Sequence, residues 1–128
     1  MTKDFPKPLI WVGSSKEELL EFPKALIAEI GFILYQVQIE QYDSRIKPLK
    51  GFNGVFEIVS NYQTNTYRTI YAVKIDHSVY VLHAFKKKSK KGSKTPKQTI
   101  ELIENCLKQA RKISQELHNE NRENENNE

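Results

Sequence analysis

The chain has 128 residues, 38% of them hydrophobic and 28% charged, enough for one soluble domain with one modest core and not for two. No apolar run reaches the roughly 20 residues a membrane-spanning helix needs, and Met1 to Lys7 lacks the apolar centre of a secretory leader, so no membrane is implied and the cytoplasm is the expected compartment. The net charge is +4, but Glu116 to Glu128 carry −4 and the other 115 residues +8, and a basic body points to an anionic partner such as nucleic acid.

Pro8 to Gly13 (PLIWVG) reads as a short buried strand. Ser14 and Ser15 are each followed three residues on by Glu17 and Glu18, a capping-box pattern that predicts a helix start. Pro23 opens a second helix. There Leu26, Ile27, Ile30, Ile33, Leu34 and Val37 recur at helical spacing as far as about Glu40 to Tyr42. Asp43 to Asn53 reads as a connection punctuated by Pro48 and Gly51. Three strand-like runs follow, Val55 to Asn61, Tyr67 to Ile75 and Val79 to about Lys87, each rich in β-branched and aromatic residues. Their short links imply antiparallel hairpins. Seven lysines lie between Lys86 and Lys97 with no acid among them. Thr95-Pro96 then predicts the opening of a third helix, marked by Ile100, Ile103, Cys106, Leu107, Ala110 and Ile113. Residues 116–128 are acidic, Asn-rich and without apolar residues beyond Leu117, so a disordered segment or a frayed helical extension is expected after a folded domain of residues 1–115. The order is β-α-α-β-β-β-α, an α+β fold with an antiparallel sheet, an N-terminal helical hairpin on one face and a C-terminal helix.

One cysteine excludes an internal disulfide and a thiol metal cluster. Cys106 fits the buried face of the third helix. His77, His83 and His118 lack metal-ligand spacing, so neither metal nor cofactor is expected.

If the last two strands meet through a two-residue turn at Asp76 and His77, Arg68 lies opposite Phe85 and Ile70 opposite His83. Alternation then places Arg68, His83, Phe85 and Lys87 on one face, with Tyr71, Val73, Tyr80 and Leu82 on the other. That cluster suits metal-free RNA cleavage, in which a ribose 2′-hydroxyl attacks the adjacent phosphate. Arg68 can make two parallel hydrogen bonds to phosphate oxygens. Histidine titrates in a range suited to proton transfer, and Phe85 could stack a base. The same residues also admit a bland reading: Arg68 paired with a carboxylate such as Glu57, and His83 and Phe85 as core.

The strings KPLKGFNGVFEIV (Lys47 to Val59), TYRTIYAVK (Thr66 to Lys74) and VYVLHAFKKKSKKGSKTP (Val79 to Pro96), with IWVGSSKEELLEFPKALIAEIGFILY (Ile10 to Tyr35) before them, resemble the HigB-like branch of the RelE/ParE toxins, also called phage-derived Gp49-like. The resemblance spans about residues 8–113. It implies a metal-independent endoribonuclease that cuts mRNA in the ribosome and inhibits translation. It also implies a cognate antitoxin, often a helix-turn-helix protein, through which alone the toxin reaches operator DNA. By the same resemblance Arg68 and Lys87 serve the phosphate, with Lys86 as the alternative if the alignment slips by one. Lys50 lies beside the substrate path and His83 belongs to the branch motif; the loop lysines, Lys90 and Lys91 among them, read from their charge either as contacts to RNA phosphates or as a solvated loop. Related nucleases often carry a Tyr or His shortly after the last basic position, and Lys88 to Lys94 holds neither. Two further readings share this sequence: a gyrase-inhibiting toxin of the ParE type, and a non-catalytic RNA- or partner-binding module.

Overall fold

The computed structural model describes residues 5–87 and 97–126, the side chains of 122–126 excepted. Its elements are β1 (Leu9–Trp11), α1 (Ser15–Leu20), α2 (Lys24–Gln38), β2 (Ile46–Pro48), β3 (Val55–Tyr62), β4 (Asn65–Ala72), β5 (Val79–Lys87) and α3 (Lys97–Asn126). They build one five-stranded sheet in the order β1-β5-β4-β3-β2. Every neighbouring pair is antiparallel except β1 with β5, which is parallel.

Apolar residues on both faces of the strands give two core layers. On one face Leu19, Phe22, Leu26, Ile30, Ile33 and Leu34 of the helical hairpin region cover Ile58, Tyr67, Tyr71, Val81 and Ala84. On the other, Ile103, Cys106, Leu107 and Ala110 of α3 cover Val55, Ile70, Ala72, Tyr80 and Leu82. Each fully buried aliphatic side chain stabilises the fold by about 1.5–3 kcal/mol relative to its exposure. The helical spacing read in α2 is therefore its buried stripe, and Cys106 sits on the buried face of α3. Among the described residues no helix is long and apolar enough to cross a membrane.

Five sequence expectations need correction. The connection 43–53 contains a strand, β2, which pairs Ile46, Lys47 and Pro48 with Ile58, Glu57 and Phe56. It is short and proline-bearing, which only an edge tolerates. α2 ends at Gln38, because Glu40 turns to a φ of +61°. The link between β3 and β4 is shorter than expected, as Tyr62 pairs directly with Asn65. β4 ends at Ala72, short of the expected Ile75, with one further in-register bond to the β3 side from the Val73 N–H to the Gly54 carbonyl at 3.0 Å, and Ala72 already pairs with Tyr80. The connection to β5 is therefore not a two-residue turn. The Asp76 carboxylate organises it, accepting from the Ser78 N–H at 2.6 Å and from the Tyr80 hydroxyl. A bulge then shifts the register between Ile70 and Tyr71, so Ala72 pairs with Tyr80 and Tyr71 with Val81, while Ile70 still pairs with His83. The extra residue on β5 puts Tyr80 and Leu82 on the α3 face with Ile70 and Ala72, not on the face of Tyr71. The Thr95-Pro96 cap lies outside the described residues.

Candidate active site

β1 pairs only with Val79, Tyr80 and Val81. Beyond Leu82 β5 has no strand on that side among the described residues, and α1 packs there instead. The capping-box reading located the start of α1, but Ser14 makes no side-chain cap bond. Glu18 reaches across to β5, where its Oε1 lies 3.0 Å from Nδ1 of His83 and accepts from the Ala84 N–H at 3.3 Å. The helix thereby satisfies a backbone donor of an otherwise open edge.

The far half of the β4–β5 ladder keeps the register deduced from sequence. Arg68 pairs with Phe85, Ile70 with His83 and Thr66 with Lys87. Arg68, His83, Phe85 and Lys87 therefore share a face, and His83 is the diagonal neighbour of Arg68, about 7–8 Å away along the sheet. The His83 and Phe85 rings stack at 4.8 Å between centroids and 21° between planes. On β3, Glu57 lies on that face too, and its Oε2 accepts from Arg68 Nη1 at 2.8 Å. The two side chains are 11% and 17% exposed, a largely buried pair. Arg68 Nε is buried without a partner, whereas Nη2 has no protein partner among the described residues and is not sealed from solvent. His83 Nε2 likewise has no protein partner among the described residues.

Lys86 pairs with Tyr67 and so faces the opposite side of the sheet from Arg68, which favours Lys87 over Lys86 as the basic group of this face. Lys50 is set apart. It follows Leu49, whose N–H bonds the Val55 carbonyl. Val55 is four residues along β3 from the partner of Arg68, about 13 Å at strand spacing. Beside Lys50 a cavity of about 410 Å³ opens between Gly51–Gly54, Ala72, Lys74 and Arg111, on the α3 side of the sheet but at the opposite end of β4 from Arg68. Lys90 and Lys91 lie outside the described residues. Burial pushes the Cys106 thiol up, and Glu18 nearby adds to this, so Cys106 is held as a neutral thiol. Among the described residues no three His, Cys, Asp or Glu side chains are grouped to hold a metal.

Residues 17–108 match the family described as "Phage derived protein Gp49-like (DUF891)". The chain belongs to the Gp49-like family. This is the branch that the strand motifs resemble, and the match runs from α1 through the first two fifths of α3. The Gp49-like chain is also similar to two solved toxin structures. A chain of the toxin–antitoxin complex RelBE2 from Mycobacterium tuberculosis gives a TM-score of 0.46 at 18% identity, over 70% of this chain and 100% of that one. An arginine-to-alanine double mutant of E. coli toxin RelE in the free state gives 0.49 at 19% identity, over 62% of this chain and 82% of that one. No curated protein matches the chain.

Glu18 is the one polar group of this site that sequence reasoning missed. It lies 65 residues from His83, and its local context offered a helix cap in explanation.

Proposed function

We propose that this Gp49-like protein is the toxin of a toxin–antitoxin pair: a cytoplasmic, metal-independent endonuclease that cuts mRNA on the ribosome and is restrained by a cognate antitoxin. The supporting observation is the shared face of Arg68, His83, Phe85 and Lys87, with Nη2 of Arg68 and Nε2 of His83 left without a protein partner among the described residues. Phosphoryl transfer within RNA needs cations on the crowded phosphate and a base for the 2′-hydroxyl. Arg68 and Lys87 supply the first and His83 the second, while Phe85 keeps the imidazole plane fixed. Lys90 and Lys91 extend the positive charge along the backbone of the RNA, and Lys50 meets it further off. Family membership supports the toxin reading, and the solved RelBE2 complex gives the precedent for an antitoxin partner.

The Glu57–Arg68 ion pair favours a second reading, in which Arg68 is structural and the protein binds RNA or a partner without cutting. One experiment separates them. Expression of the chain alone is expected to arrest bacterial growth with new 5′ ends mapped inside translated mRNA. Arg68→Ala is expected to relieve the arrest while circular dichroism shows an intact fold. A folded Arg68→Ala protein that still arrests growth in full rejects the nuclease reading.

A further inference from the structure

We propose that Glu18 is a positioning residue for the reaction, orienting His83 so that Nε2 acts as the base; this rests on the nuclease reading above. A carboxylate has no proton to give in its ionised form, so the 3.0 Å contact requires the proton to sit on Nδ1 of His83. In the neutral ring the lone pair is then on Nε2, which has no protein partner among the described residues. Two further contacts fix the geometry. The Ala84 N–H, donating to the same Oε1, pins the carboxylate to the β5 edge. The Phe85 ring, stacked at 4.8 Å, prevents the imidazole from turning. The imidazole is thus held on both sides, and its diagonal neighbour across the sheet is Arg68.

The step is balanced by these groups alone. Nε2 takes the proton of the ribose 2′-hydroxyl as that oxygen bonds to phosphorus. The bond from phosphorus to the 5′-oxygen breaks, and the leaving oxygen takes a proton from the Lys87 ammonium. The products are a 2′,3′-cyclic phosphate and a 5′-hydroxyl. The imidazolium formed on His83 lies against the Glu18 carboxylate, which stabilises the new charge as it develops. Glu18 never touches the substrate. It sets the tautomer and balances the charge, the role of an orienting carboxylate in triad chemistry. This arrangement also accounts for a site with neither Tyr nor His in the stretch after Lys87: the proton acceptor stands two residues before Phe85 on the strand itself.

Glu18→Gln keeps the shape and keeps an acceptor oxygen in place, because the Ala84 N–H still demands one, but it removes the charge. Single-turnover cleavage of ribosome-bound mRNA by the full chain is expected to slow by roughly 10- to 100-fold, a part of what acid–base catalysis supplies in total. Half-saturating ribosome concentration and melting temperature should stay nearly unchanged. In a His83→Gln background the same substitution should cost nothing further. Independently of activity, ¹⁵N shifts of the His83 ring in the wild-type chain should report the Nδ1–H tautomer. A proton found on Nε2 overturns the proposal. So does a Glu18→Gln protein as fast as wild type while Arg68→Ala is inactive: Glu18 then only braces the β5 edge, and the nuclease reading stands. If the wild type cuts no mRNA, that reading falls and this inference with it.

Discussion

Arg68 is held in a nearly dry setting with one carboxylate for company. Its Nη1 donates to Glu57 and its Nε has no partner. Such a pair is retained at a cost in desolvation, and removing one partner leaves the other charge uncompensated. Glu57→Gln is therefore expected to lower unfolding free energy by about 1–3 kcal/mol, read from urea denaturation. Replacing Arg68 by Met in the same chain should recover most of the loss. A loss no larger for Glu57→Gln alone than for the double variant would mean that the pair is not coupled. At this scale the sequence was informative where partners share a hairpin. Arg68, Phe85 and His83 were set in register by an assumed two-residue turn together with alternation, and Glu57 stood out as a carboxylate on the next strand. It was silent about Glu18, because contact between α1 and the open edge of β5 depends on how far β1 extends, and no periodicity in residues 9–11 reveals that.

At the scale of elements, helices and long strands were legible because their burial has a period. β2 was not, since three residues ending in proline carry none. Besides the packing of Ile46 against the core, polar contacts hold β2 in place. The Arg45 guanidinium bridges Asp43 at 2.8 Å and Glu29 of α2 at 3.0 Å, and the Arg45 carbonyl accepts from the Val59 N–H at 3.0 Å. The Arg45 side chain and its backbone N–H hold the Asp43 carboxyl far below the usual carboxylate range. Gln36 assists, and together they outweigh the opposing effect of burial. A carboxylate with a depressed value adds stability that is complete above its unfolded value, about 3.9, and fades as the pH falls below it. Asp43→Asn should thus lower the melting temperature at pH 7, with the gap to wild type narrowing steadily below about pH 4. A gap of constant size across that range would show that the loss is one of packing rather than of charge. The bulge was equally hidden. The expected two-residue turn was wrong and the bulge went unseen, yet the two errors cancel beyond Ile70, which is why the site register survived while Tyr80 and Leu82 were assigned to the wrong face.

Over the whole molecule charge is sorted along α3. The helix passes Glu18 at Cys106 and reaches the β4–β5 connection at Ser114, which lies beside Asp76. It therefore runs away from the Lys87 end of the sheet. From Gln115 to Asn121 every residue is exposed, and the helix continues to Asn126, about 18 Å beyond Ser114 at 1.5 Å per residue. Truncation after His118 removes four acids and one arginine, so the net charge rises from +4 to +7. Since those residues bury nothing as far as Asn121, the melting temperature should change by no more than about 2 °C. The electrostatic effect depends on screening. At about 0.15 M salt the Debye length is about 8 Å, so charge this far from Arg68 and Lys87 is scarcely felt there; at about 0.01 M it is about 30 Å, and the acidic end opposes approach to a polyanion. Association of the truncated chain with ribosomes should accordingly be about 2- to 5-fold faster at low salt and equal to the full chain near physiological salt. Stopped-flow measurements across that salt range read this directly. A gain that persists undiminished at 0.15 M salt would place the acidic segment against the basic face, acting locally as a competitor for RNA, and a fall of several degrees in melting temperature would show that it docks on the body of the protein.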